Sequence, residues 1–411
     1  MRGIFIDLVK ERCYYYARTF REKSMYVLTL KKGEERRADK HPWIFANTVQ
    51  RIDGKDAQGS VAKVVTAGGR LVGYGFINHA SKIIVRLMTR DETPIDRDLF
   101  LSRIRKAKAQ REALGYADNY RAVFSESDGL PGLIVDKYRD HLSVQILTLG
   151  MDLRREMITD CLKEIYSPAC IYERSDVASR LKEGLEERKG VLYGTLDPAL
   201  RIEENGLNLS IDLENGQKTG YFLDQKETRA AIRRYAAGRN MLDLFCNQGG
   251  FALNAAKGGA REITAVDVSE SALEKVKENA ALNGFTSIST EKADVFALLR
   301  EKKRAGERYD LIVLDPPAFT KSADTVKEGY KGYLSTNASA LALLEEGGVM
   351  FTCSCSRFMT IPLFLKMIEE ASAIAKVEVK LLEIRTQAPD HAAVVGLDDA
   401  LYLKTVVLMR V

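Results

Sequence analysis

The chain has 411 residues, 45% of them apolar and 29% charged, close to the average of globular proteins. That length predicts two or three domains, and the composition excludes a collagen, a long coiled coil or a wholly disordered chain. No apolar run approaches the roughly 18–20 residues that a membrane helix needs, and a net charge of +5 is compatible with a polyanionic partner without demanding one.

Six cysteines, at 13, 161, 170, 246, 353 and 355, are too sparse for a disulfide scaffold, and none forms a CxxC pair. With only four histidines in the chain, no metal site is expected, and the cysteine usage points to the cytoplasm. The apolar residues of the N-terminus are interrupted by Asp7, Lys10, Glu11 and Arg12, which is not a secretory signal. Residues 1–25 are expected to be an extension, with Met25 a candidate start.

Residues 26–95 carry short β-branched and aromatic runs separated by Gly, Asp and Asn turns, the pattern of a small β-barrel. Lys31, Lys32, Arg36, Arg37 and Lys40 crowd a loop before His41-Pro-Trp-Ile-Phe45, which holds the only tryptophan; this is the expected RNA-facing surface. Residues 96–204 read as a small α/β unit. It begins with an amphipathic helix bearing Leu99, Ile104, Ala107 and Leu114, passes through two strands around ESDGLPG, and ends with a helix and the strand ACIYERS. Turn chemistry accounts for ESDGLPG.

From 205 to 411 the texture changes. A hairpin of LNLSIDL and TGYFLDQ is expected first, then apolar strands alternate with helices of 10–15 residues, among them TNASALALLEEGG. That alternation predicts a doubly wound, mostly parallel sheet.

In such a sheet ligands sit at the carboxyl ends of the strands. Four strand ends carry informative residues: Asp243 leading into Asn247, Gly249 and Gly250; Asp267; Asp294; and Asp315-Pro-Pro-Ala-Phe319. The first loop is neither GxGxxG nor GxxxxGK[ST], so a pyrophosphate or triphosphate cradle is a poor fit. Asp267, 24 positions after Asp243, stands where a carboxylate accepts from a ribose diol. A nucleoside cofactor without a pyrophosphate is the economical reading. Each feature alone has an ordinary structural explanation, a tight turn or a helix cap; four at the strand ends of one fold do not.

The C-terminal half resembles the class I S-adenosylmethionine-dependent methyltransferases. More narrowly, residues 26–411 resemble the bacterial large-subunit rRNA cytosine-C5 methyltransferases that carry an N-terminal PUA domain. The resemblance rests on HPWIF (41–45), ESDGLPGLIVD (126–136), YERSD (172–176), KTGYFLDQ (218–225), DLFCNQGGF (243–251), AVDVS (265–269), DPPAF (315–319), SCS (354–356) and LYLK (401–404). It implies S-adenosyl-L-methionine as cofactor, with Asp243, Asn247, Gly249 and Gly250 along its methionine part, Asp267 on the ribose and Asp294 near the adenine. Tyr221, Asp224 and Gln225 would close over cofactor or target. Large-subunit rRNA is the implied partner, with no membrane; the oligomeric state stays open, a homodimer included.

Methylating C5 of cytosine requires a nucleophile that adds at C6, and a thiolate is accessible near neutral pH where a serine alkoxide is not. FTCSCS offers Cys353 and Cys355, which strand alternation would place on one face, so spacing does not choose between them. The family pattern places the nucleophile at Cys355. The charge that its attack puts on the base needs a group to supply or hold a proton near N3, and Asp315 begins the strand-end motif placed to do so, with Phe319 as a stacking face. Two other classes remain: an N-methyltransferase acting on guanine, which needs no cysteine, and a non-catalytic RNA-binding ribosome-assembly factor.

Overall fold

The computed structural model describes residues 25–397 and 400–411, so the N-terminal extension lies outside them apart from Met25. Backbone contacts divide the chain into one unit ending at Leu196 and another running from Asp197 to Val411.

The first unit opens with β1 (Tyr26–Leu30), α1 (Glu35–Lys40), β2 (Trp43–Phe45), β3 (Val49–Asp53), β4 (Val61–Val65), β5 (Leu71–Ile77) and β6 (Ile83–Thr89). The strands form one sheet in the order β2-β6-β5-β4-β1-β3, in which β1 and β4 run parallel. The basic stretch expected as a loop contains α1, whose Ala38 is buried while Arg36, Arg37 and Lys40 stay exposed. After α2 (Arg97–Ala113), capped by the Asp96 side chain, come β7 (Asn119–Phe124), β8 (Leu133–Tyr138), β9 (His141–Ile146), α3 (Arg155–Tyr166), β10 (Cys170–Ser175) and β11 (Arg188–Gly194). They make a second sheet, β11-β10-β9-β8-β7.

Two strands were expected around ESDGLPG and three are present. The third arises because Arg139, at φ +55°, turns the chain sharply between Tyr138 and His141 without a glycine to advertise the turn. The ESDGLPG carboxylates are structural. Asp128 accepts from both terminal nitrogens of Arg111 at 2.6 and 2.8 Å, and Glu126 accepts from the Trp43 indole at 2.8 Å.

The second unit begins with β12 (Arg201–Glu204) and β13 (Leu207–Ser210), an antiparallel hairpin closed by Asn205 and Gly206, both with positive φ. This corrects the expected pairing of LNLSIDL with TGYFLDQ. The Asn-Gly turn selects the earlier partner, and Lys218 and Gly220, at φ +52° and +116°, take 218–222 out of extended backbone. There follow α4 (Lys226–Ala231), β14 (Asn240–Leu244), α5 (Gly250–Lys257), β15 (Glu262–Asp267), α6 (Glu270–Leu282), β16 (Ile288–Lys292), α7 (Val295–Ala305), β17 (Tyr309–Leu314), α8 (Val326–Leu341), β18 (Leu344–Ser354), α9 (Ile361–Ala375), β19 (Val379–Thr386) and β20 (Lys404–Arg410). The sheet order is β16-β15-β14-β17-β18-β20-β19, with β20 antiparallel to both neighbours. Chain order reverses between β14 and β17, the switch point at which such sheets bind ligands.

Strand alternation fills the two faces. Leu242, Leu244, Ile312, Leu314 and Met350 pack with Leu298, Tyr333 and Phe364 on one side. Met241, Leu311, Val313, Phe351 and Cys353 pack with Phe251, Ala252 and Val276 on the other. The helix expected over TNASALALLEEGG instead starts at Val326 and ends at Leu341. Its first turns hide behind Gly329 and Gly332, which leave room for Thr320 and Phe319 to lie against the helix.

Candidate active site

The loop after β14 is held in a tight arc by Phe245, Asn247 and Gly249, all at positive φ. Asp243 ends inside the protein, 1% exposed. Its Oδ2 accepts from Ala252 N in the first turn of α5 at 3.1 Å, and its Oδ1 has no hydrogen-bond partner. Burial, with Asp315 and Asp267 adding repulsion, pushes its carboxyl far above the usual carboxylate range. A Cβ on Gly250 would meet the Arg229 side chain at 2.5 Å and the Tyr221 hydroxyl at 3.0 Å, so the loop glycine is where the 218–222 segment leans on α5.

Asp267 ends β15 and is half-buried. Its two oxygens accept from Asn247 N at 3.0 Å and from Ser269 N at 2.9 Å. The cap of α6 is Ser269, not Asp267. Asp294, by contrast, is exposed and caps α7, accepting from Ala297 N at 2.8 Å.

The second cluster gathers at β17, β18 and the 3₁₀ turn Leu223–Gln225. Gln225 Nε2 donates to Asp315 Oδ2 at 2.9 Å, while Gln225 Oε1 is buried without a partner. Burial raises the Asp315 carboxyl to about 6, against the pull of the Gln225 hydrogen bond and with Asp224 adding to the rise. Asp224 in turn accepts from the Tyr402 hydroxyl at 2.6 Å. Tyr221 sits below this cluster, 5% exposed. Its hydroxyl donates to Glu204, which also forms a buried ion pair with Arg229 at 2.7 Å, so Tyr221 braces the segment.

The two cysteines that spacing could not separate differ sharply. Cys353 lies inside β18, is wholly buried in the core and contacts the Thr405 hydroxyl at 3.2 Å. Cys355 lies just past the strand end, half-buried. Burial pushes its thiol up; Lys218 pulls it down, and Asp315 and Asp224 push it further up. The same three charged side chains act on Asp315 or are Asp315 itself, so thiol and carboxyl share one electrostatic environment. Phe319 packs between Tyr333, with ring centroids 4.8 Å apart, and Phe296 at 5.8 Å, which takes up faces expected to be open for stacking.

Asp243, Asn247, Gly249, Gly250 and Asp267 thus share the β14–β15 end, Asp315, Gln225 and Cys355 share the β17–β18 end, and the mutual repulsion of Asp243 and Asp315 joins the two. Asp294 stands outside this group. Two charged residues went unnoticed in the sequence, Lys218 and Lys404, although both lie in the quoted motifs. A lysine opening an otherwise apolar final strand was the available signal.

A family model described as S-adenosylmethionine-dependent methyltransferase matches residues 190–404, and one described as a PUA-like domain matches 28–90. The chain is similar to the ribosomal RNA large subunit methyltransferase I of Aeromonas salmonicida, 40% identical over 392 residues, which cover 94% of this chain and 99% of that protein. It is 42% identical over 389 residues to the protein of the same name from Shewanella amazonensis, covering 92% and 98%. Among solved structures, a SAM-dependent methyltransferase from Streptococcus mutans matches with a TM-score of 0.81 at 22% identity, over 94% of this chain and 100% of that one. A methyltransferase solved in complex with SAH matches over the same shares, with a TM-score of 0.82 and 22% identity, a likeness of fold.

Proposed function

We propose, for a chain that belongs to the S-adenosylmethionine-dependent ribosomal RNA large-subunit methyltransferases, that it forms 5-methylcytosine through a covalent bond between Cys355 and C6 of the target base. The observation that carries this reading is the contrast at the end of β18. Cys355 is half-buried beside Asp315, whereas Cys353 is enclosed in the core.

The residues present fit the cofactor. Asp243 keeps one buried carboxylate oxygen without a partner, and its raised pKa means that an ammonium group placed there would stabilise the ionised form. Asp243, Asn247, Gly249 and Gly250 would line the methionine part, and Asp267, already oriented by two backbone donors, would accept from the ribose hydroxyls. Gln225, through its free Oε1, would meet the reacting end, and Asp294 the adenine side. S-adenosylmethionine supplies, when bound, the electrophilic methyl that C5 takes.

The chain's own residues do the rest. The Cys355 thiolate forms a bond to C6, and the C5–C6 π electrons move towards C5 and the N3 side of the ring. Asp315, whose carboxyl titrates near 6, holds the proton that neutralises this charge at N3. After C5 is methylated, a base takes the C5 proton, the C5–C6 double bond re-forms as the S–C6 bond breaks with its electron pair returning to the thiolate, and N3 gives its proton back to Asp315. The exposed cations of α1 would contact RNA phosphates.

The test is trapping on an rRNA fragment whose target is 5-fluorocytosine, since a C5 fluorine cannot leave as a proton. Wild type and Cys353→Ala should form a stable protein–RNA adduct, and Cys355→Ala should form none. An adduct lost in Cys353→Ala and kept in Cys355→Ala would move the nucleophile two residues earlier. Full turnover in both variants would leave a cysteine-independent N-methylation as the activity, and RNA binding without any methyl transfer would leave an assembly factor.

A further inference from the structure

Ser354-Cys355-Ser356 puts a hydroxyl on each side of the thiol, and the two hydroxyls bond to different elements. Ser354 ends β18, fully buried, and its Oγ donates to the Tyr333 hydroxyl of α8 at 3.1 Å. Ser356, 3% exposed, donates from Oγ to the backbone carbonyl of Thr320 at 2.7 Å and accepts from Phe358 N at 3.3 Å. Thr320 is buried and follows directly on Asp315-Pro-Pro-Ala-Phe319. Tyr333 in turn packs on Phe319. Both serines therefore tie the end of β18 to the loop that Asp315 opens, one directly and one through α8, and Cys355 is the residue between the two ties.

Resting on the reading of Cys355 as nucleophile, we propose that Ser356 is a positioning residue whose hydroxyl sets the spacing between the Cys355 turn and the Asp315–Thr320 loop, so that sulfur and carboxyl meet one base in a fixed relation. Local turn chemistry accounts for only half of what this side chain does. Accepting from the amide two residues on is an ordinary serine turn; donating to a carbonyl 36 positions away is not required by it. The hydroxyl has one proton and spends it on Thr320, so it has none for the thiol or the base, and its part is placement, not proton transfer. The backbone on both sides is held as well. The Ser356 carbonyl accepts from Lys404 Nζ and from Met359 N at 3.2 Å, and at the other end of the loop Gln225 holds Asp315 at 2.9 Å. The bond from Ser356 to Thr320 joins these two anchored pieces. A misplacement of about 1 Å between reacting groups is enough to slow a reaction on the order of 100-fold.

The test is the rate of adduct formation on the 5-fluorocytosine fragment at saturating RNA and S-adenosylmethionine. Ser356→Ala should slow it about 10- to 100-fold, with the dissociation constants of fragment and cofactor within about twofold of wild type. Alkylation of Cys355 by iodoacetamide, followed on its own peptide by mass spectrometry, should keep its wild-type rate, because this reagent needs no alignment with Asp315. A residue that only stabilised the fold would lower the melting temperature and leave the adduct rate of the folded protein alone, so an unchanged rate in Ser356→Ala overturns the proposal. Alkylation slowed as much as adduct formation also overturns it, since the thiol itself and not its placement would then be altered. If Ser356→Ala does not fold, Ser356→Cys decides, its thiol being a weak donor. The adduct rate should again fall, and a full rate overturns the proposal. Failure of the nucleophile reading is seen separately, as an adduct that survives in Cys355→Ala.

Discussion

The Gln225 side chain donates from Nε2 to Oδ2 of Asp315 at 2.9 Å, joining residues 90 positions apart. One hydrogen bond therefore ties the carboxyl whose charge acts on Cys355 to the 3₁₀ turn Leu223–Gln225. It also points the buried, unpartnered Oε1 of Gln225 away from that bond.

Asp315 has a folded-state pKa of about 6, above the roughly 3.9 of a free aspartate. The fold favours the protonated form, so this group's contribution to stability is fully present below about pH 3.9 and is lost as pH rises through about 6. Asp315→Asn should therefore melt at a higher temperature than wild type near neutral pH, while kcat/KM falls by roughly 10²–10⁴. Because the proton-holding form of Asp315 is lost as pH rises through about 6, its titration should appear in wild-type kcat/KM as a falling limb above that pH, and that limb should vanish in the variant. Equal melting and an unchanged limb would remove Asp315 from proton handling.

Asp267→Ala should weaken S-adenosylmethionine binding by on the order of 1.5–3 kcal/mol, the worth of a hydrogen bond to a charged group. The same change frees Asn247 N in the loop after β14 and Ser269 N at the cap of α6. Titration calorimetry with an unaltered affinity would exclude the ribose role.

Gly250→Ala places a methyl 2.5 Å from Arg229 Cδ and 3.0 Å from the Tyr221 hydroxyl. Arg229 is locked in its buried ion pair with Glu204, so it cannot swing aside freely. The expected cost is about 1–3 kcal/mol, read as a lower thermal midpoint together with weaker cofactor binding. A variant as stable as wild type would mean that the 218–222 segment yields.

Arg36 and Arg37 lie exposed on α1, and the Arg37 guanidinium sits 4.5 Å from the Phe45 ring centroid. Reversing both to glutamate should weaken binding to rRNA fragments and flatten its salt dependence by about one phosphate contact per cation lost. An unchanged salt slope would place the RNA elsewhere on the protein.

Much of this protein was legible in its residues because the signals are local. Apolar strands alternating with helices specify the doubly wound sheet, and Asp243, Asp267, Asp294 and Asp315 can be placed at strand ends by counting along the chain. The polar edge strand β16 and the glycine-bearing start of α8 escaped because neither carries the periodicity that betrays its neighbours. The hairpin partner of β13 was misassigned because a left-handed pair, Asn205-Gly206, outweighs the apolar pattern of the segment that follows. Only the tertiary structure separates Cys353 from Cys355. Both sit on one strand's alternation, but β18 ends at Ser354, so the first falls within the packed sheet and the second beyond it. Likewise only the fold brings Gln225, Asp315, Cys355 and Lys404 together, since the charge and burial that set a group's pKa depend on neighbours distant in sequence.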